Sequence, residues 1–204
     1  MKKLFLLAAL FLAGISYGQS IYQSIETVEA DGITLTVKHT LHASLIYNSD
    51  YHYINESPWR YQDGREVETE EEYDSVSAQK NTAGELRALR EVLGDDFITA
   101  MRAYRGFPLI IIYTVIPDGT TLEVAFIVGN EPELQALPLT TFAALDRKLK
   151  QYVTWKPNDF AKQLEFFTRK GYINFRNVPI SSEIKVIRNP DLEFNPDLER
   201  KLCE

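Results

Sequence analysis

Residues 109–128 read LIIIYTVIPDGTTLEVAFIV, and the spacing of apolar side chains in this stretch frames the rest of the chain. Side chains alternate along an extended strand, so Leu109, Ile111, Tyr113 and Val115 share one face while Ile110, Ile112 and Ile116 share the other. Both faces are apolar, which predicts a central strand. Pro117, Asp118 and Gly119 then combine a fixed φ, a side chain that bonds its own backbone and a residue free to take φ > 0, as a tight reversal requires. Beyond the turn, Leu122, Val124, Phe126 and Val128 alternate with Glu123, Ala125 and Ile127, the pattern of a less buried partner strand.

Upstream, residues 21–29 read as a leading strand or a loosely held arm. After the Asp31-Gly32 turn signal, Ile33, Leu35, Val37, His39, Leu41, Ala43, Leu45 and Tyr47 share one parity. Thr34, Thr36, Lys38, Thr40, His42 and Ser44 share the other, as in one long half-exposed strand or two strands with a bend. Residues 48–63 show no period and predict a loop, Gln62-Asp63-Gly64-Arg65 suits a short hairpin, and the carboxylates of residues 66–74 suit a solvated face. Asn81 or Thr82 caps a helix in which Leu86, Leu89, Leu93, Phe97 and Met101 recur every three or four residues. Gly94 marks a weak point or a division, with Asp95 starting a second helix, and Gly106 is a stop.

Downstream, residues 129–138 form a connector with two prolines. Thr140 or Thr141 caps a helix with Phe142, Leu145, Leu149 and Tyr152 on one face, ended by Trp155-Lys156-Pro157. Asn158 or Asp159 caps a further helix through Phe160, Leu164 and Phe167 to Arg169. Residues 172–178 alternate as a short strand, and Ile184, Val186 and two Asn-Pro pairs describe a fading edge and tail. The pattern predicts an α+β fold, an antiparallel sheet with two to three amphipathic helices packed on it.

Residues 1–18 carry the marks of a secretory signal: Lys2 and Lys3, an apolar run, and Ser16-Tyr17-Gly18 as the cleavage site. The run is too short for a permanent span, and no later segment approaches the roughly 20 apolar residues one needs. Cleavage leaves 186 of 204 residues, 19–204, enough for a single domain with an adequate core. Loss of the two lysines takes the formal charge from −7 to −9, which disfavours nucleic acid or an anionic membrane surface as partner. The single Cys203 forms no internal disulfide, and no Cys stands at the cleavage site to take a lipid.

The order of helix, buried strand, Asp-Gly turn, second strand, connector, helix ending in Trp-Lys-Pro and later strand resembles the C-terminal domain of TonB-type energy transducers, as their relatives in Bacteroidetes present it. The resemblance runs over about residues 107–180, through residues 110–116, Asp118-Gly119, residues 122–128, the helix around Leu145 and Leu149, and Trp155-Lys156-Pro157. It implies recognition of a partner strand at a sheet edge, such as residues 172–178. A transducer also needs a membrane anchor and a proline-rich spacer, whereas this sequence has a cleavable signal and no such spacer. The whole chain resembles small exported Bacteroidetes proteins grouped as a domain of unknown function, which implies fold and location but no activity.

Candidate chemistry is sparse. His39 and His42 have the H-x-x-H spacing of a zinc pair, but strand parity sends them to opposite faces. Glu66, Glu68, Glu70, Glu71, Glu72 and Asp74 lack the glycine and ligand order of a calcium loop. Asp95 and Asp96 read as helix caps, Ser181-Ser182 lacks a nucleophile elbow, and Cys203 lies in a terminal tail. No metal or other cofactor is implied. Tyr51, Tyr53, Trp59, Arg60 and Tyr61 are residue types enriched at recognition surfaces, and equally suit a satellite core beneath a long loop. The sequence therefore predicts an exported interaction or binding protein without catalysis, meeting another periplasmic or outer-membrane protein through the aromatic loop or a sheet edge. The alternative is a secreted hydrolase or metal-dependent enzyme built from His39, His52 and scattered carboxylates.

Overall fold

The computed structural model describes residues 24–55 and 58–187. Six strands form one antiparallel sheet: β1 (Ser24–Ala30), β2 (Ile33–His39), β3 (Ala43–Asn48), β5 (Leu109–Val115), β6 (Thr121–Gly129) and β8 (Phe167–Ile173), in the order β1-β2-β3-β6-β5-β8. Two short strands, β4 (Ala78–Lys80) and β7 (Trp155–Pro157), pair separately. The helices are α1 (Glu70–Ser75), α2 (Thr82–Met101), α3 (Pro132–Gln135), α4 (Leu139–Tyr152) and α5 (Ser181–Ile187). The architecture is α+β, as the alternating and helical periods together predict.

The hairpin of β5 and β6 lies at the centre, in the register Leu109↔Val128 to Thr114↔Glu123, with a bulge before Val115. Leu109, Ile111, Tyr113, Val115, Val124, Phe126 and Val128 are buried on one face, and α2 and α4 cover that face. Phe142 of α4 stacks on Phe126 at 5.4 Å, and the Tyr113 hydroxyl reaches Glu85 of α2 at 2.6 Å. Asn81 caps α2 through its side chain, and Gly94 breaks the helix with φ 76° and ψ 162°, at the position the pattern marks.

Several expectations change. Strand β6 buries Glu123 and Ala125 on its second face and exposes Leu122, because β3 pairs along its other side, and sequence alternation cannot show which strands are flanked. The stretch from Ile33 to Tyr47 is a hairpin, closed by Thr40, whose hydroxyl donates to Ala43 O at 2.7 Å and accepts from Ala43 N at 3.0 Å. The reversal resets parity, so Leu35 and Val37 share the helix-covered face with Ile46, while Leu45 and Tyr47 turn to the other. The helix expected from Asn158 to Arg169 is only a 3-10 turn at Ala161–Gln163, with the Asn158 side chain accepting the Ala161 N–H at 2.9 Å. Residues 167–173 pair with β5 along its whole length, and that ladder outcompetes local helical spacing. The strand expected over residues 172–178 ends at Ile173 and turns into a 3-10 segment at Phe175–Asn177. Trp155-Lys156-Pro157 is β7 rather than a helix terminus, and Ile184 lies in α5 rather than in a fading edge. The helix α1 escaped the sequence reading, although Thr69 and Glu72 form a reciprocal capping box. The signal segment, the Asn-Pro pairs and Cys203 lie outside the described residues.

Candidate functional site

The aromatic loop is held by specific contacts. Tyr61 is buried, donates to Glu72 Oε1 at 2.8 Å, faces Phe160 edge-on at 5.9 Å and carries the Arg65 guanidinium over its ring at 3.8 Å. Hydrogen bonds to Glu72, from the Tyr61 hydroxyl first and then from the Glu68 N–H, Arg65 and the Thr69 N–H, hold its carboxyl down at about 2. Half-buried Trp59 packs on Tyr73 at 4.9 Å, with Arg169 over its ring at 5.8 Å. Tyr53 stacks on the fully buried Phe166 at 4.6 Å. Arg60 is exposed and lies 3.6 Å from Glu66. Tyr61 thus joins the main core and Trp59 packs against it, while Arg60 projects from the loop.

Tyr51 leads to the first of three buried carboxylates. Its hydroxyl donates to Asp146 of α4, while Lys150 Nζ lies 3.0 Å from Asp146 Oδ2 and donates to the Tyr51 oxygen at 2.6 Å. Burial, reinforced by Asp146, pushes the Tyr51 phenol far above its ordinary value. A phenol that stays protonated at neutral pH is a fixed donor, poorly suited to exchange protons with a substrate. Glu123 accepts the backbone N–H of His52 at 2.7 Å and of Tyr53 at 3.1 Å, and a hydroxyl hydrogen bond from Thr114 at 3.3 Å. Glu85 accepts from Tyr113 at 2.6 Å and from Lys80 at 2.5 Å, and Gly171 leaves the room for it. Each carboxylate is satisfied within the fold and ties a loop, helix or strand to its neighbour.

The histidines do not meet. His39, at one end of the sheet, bonds Ser44 and Glu26, both at 2.9 Å; His42 is exposed in the β2–β3 turn; His52 lies beyond the other end of β3. No group of three or more His, Cys, Asp or Glu placed to hold a metal ion occurs among the described residues. Asp95 accepts the Ser181 N–H at 3.0 Å, which ties α5 to α2 and gives both residues a structural partner. The cleft lined by Asn81, Gly84, Arg87, Gln151 and Tyr152, of about 350 Å³, opens where α2 meets α4. Arg87 there lies 4.1 Å from the Tyr152 ring and is bonded to Glu91 at 2.7 Å.

The sheet face away from α2 and α4 departs from the usual polar exterior of an antiparallel sheet. Register places Ile25, Lys38, Leu45, Ile127, Ile110 and Tyr172 in one row across all six strands. Five of the six are apolar or aromatic, and Ile25 and Tyr172, at the two ends, are 57% and 54% exposed. Phe107, 55% exposed, meets Tyr172 edge-on at 5.5 Å and enlarges the patch beside β8. The turn at Tyr53–Asn55 covers the opposite end of this face, over Glu123 and Thr114. Sequence parity showed the apolar residues of each strand, but only the register aligns them.

The fold defines a class: an α+β domain in which helices shield one side of the sheet and, among the described residues, an apolar row crosses the other. Family models and curated protein sequences give no match to the chain. Among solved structures, the chain is similar to a DUF5043 family protein from Bacteroides uniformis, with 18% identity and a TM-score of 0.58 over 76% of this chain and 87% of that one. At that identity the likeness is one of fold. It agrees with the expected kinship to Bacteroidetes proteins of unknown function and does not extend to the TonB domain. Among the described residues, no helix is long and apolar enough to cross a membrane.

Proposed function

We propose that this is an exported, non-catalytic binding protein that takes an extended segment of another periplasmic or outer-membrane protein onto the outer edge of β8, which no described strand pairs. The observation that carries the reading is the junction of that edge with the exposed Tyr172 and Phe107. A strand edge supplies backbone donors and acceptors for affinity, and alternate side-chain positions supply selectivity. Export rests on the signal pattern of residues 1–18. Recognition by strand addition is the mode that the TonB-type resemblance implies. The aromatic loop, by contrast, spends Tyr51, Tyr53, Trp59 and Tyr61 on packing and hydrogen bonds, and serves here as the support that positions the end of the sheet.

A selection of displayed extended peptides on the purified protein tests this. The expected binders alternate apolar and polar residues, slow amide exchange in β8, and lose affinity about tenfold or more with Tyr172→Ala. Binders that leave β8 exchange unchanged would overturn it.

A further inference from the structure

The two outer strands of the sheet, β1 and β8, are matched to each other. Each is seven residues long, and among the described residues each pairs with a strand along one side only. Six strands with alternating directions leave β1 and β8 running oppositely, so a translated copy brings β8 of one molecule antiparallel to β1 of the next. In the register Ile25 opposite Tyr172, every residue of Ser24–Ala30 faces one of Phe167–Ile173. Ile25, Thr27 and Glu29 then share a face with Tyr172, Lys170 and Thr168, and Tyr172 at the end of one row meets Ile25 at the start of the next.

Charge separates the possible pairings. Strand β1 carries Glu26 and Glu29, and β8 carries Arg169 and Lys170. Pairing β8 with itself about its midpoint sets Lys170 against Lys170, and pairing β1 with itself sets Glu26 diagonal to Glu26, both unfavourable. The mixed pairing sets Glu29 diagonal to Lys170 and Glu26 diagonal to Arg169. Glu29 and Lys170 are both exposed, on the same helix-free face.

We infer that the segment fitting the β8 edge is β1 of a second copy of this chain, giving a head-to-tail assembly through one continuous sheet. This rests on the reading of β8 as a recognition edge and puts a second copy of the chain in the place of another protein as its occupant. A heterologous contact of this kind leaves one free edge at each end, so growth continues with concentration rather than stopping at a dimer.

Sedimentation of the purified protein across rising concentration, at low and high salt, tests it. The expected result is a mass that climbs with concentration and falls with salt. Lys170→Glu and Glu29→Lys should each weaken association about tenfold, and the double variant should recover it, because each junction joins residue 170 of one copy to residue 29 of the next. Circular dichroism confirms that the variants fold, both positions being exposed. A mass that stays monomeric throughout overturns the inference, as does association indifferent to the single variants or not recovered by the double. A monomer whose β8 still captures displayed peptides sinks this inference alone, whereas failure of both experiments sinks the binding reading as well.

Discussion

At the level of single residues, Glu72 shows how a side chain in an acidic run becomes structural. Its carboxylate accepts from the Tyr61 hydroxyl, from the backbone of Glu68 and Thr69, and from Arg65, and its pKa falls from an ordinary 4.5 to about 2. A carboxyl depressed in the folded state stabilises the fold above its unfolded pKa, and that contribution drains away as pH falls through the folded value. The thermal midpoint of Glu72→Gln should therefore lie below that of the parent at neutral pH, with the gap closing between about pH 4.5 and 2. A gap that does not change with pH contradicts the assignment. Tyr51 is a second case. Tyr51→Phe removes a donor from Asp146 and leaves a buried carboxylate oxygen less well satisfied, so urea denaturation should show a loss of about 1–3 kcal/mol. No change would mean that Lys150 alone satisfies Asp146.

Among the elements, the β5–β6 turn carries the tightest geometric demand. Gly119 has φ 90°, and a Cβ there would clash with the backbone oxygen of Trp155, which, being main chain, has no flexible side chain to give way. Its carbonyl receives the Trp155 N–H at 2.9 Å, locking the turn to β7. Gly119→Ala should cost about 3 kcal/mol or more by combining a left-handed backbone with a clash, measured as a shift in the denaturation midpoint. Gly94, also at positive φ but with open space around its missing Cβ, isolates the backbone cost by comparison. The turn, the two central strands, the capped α2 and the amphipathic α4 were legible because local period and turn chemistry agree there with the final fold. The region of residues 155–187 was not. Phe160, Leu164 and Phe167 follow helical spacing, yet the open side of β5 recruits Phe167–Ile173 into the sheet, a non-local gain that no window of sequence contains. The buried Glu85, Glu123 and Asp146 were hidden for a similar reason. Their partners Tyr113, His52 and Tyr51 lie 28 to 95 residues away in the chain. A signal existed only for Tyr113, whose hydroxyl at the centre of an apolar strand needs a partner.

Across the whole molecule, protection is graded from the centre of the sheet outward. Strands β5 and β6 are bonded on both sides and lie beneath α2 and α4, whereas among the described residues β1 and β8 each pair on one side only. Opening a flank breaks one ladder, while exposing the β5–β6 hairpin requires the helices to leave as well, so the two events have different free energies. Native-state hydrogen exchange of the dilute protein should place the slowest amides in Leu109–Val115 and Thr121–Gly129, and markedly faster ones in Ser24–Ala30 and Phe167–Ile173. Exchange at β8 should then slow as concentration rises or as a captured peptide is added, because an added strand turns an outer strand into an inner one. Uniform slow exchange across the sheet at dilution would mean that β8 is already covered. Nothing would then distinguish it from a structural strand, and the exposed Tyr172 and Phe107 would be left without a part in recognition.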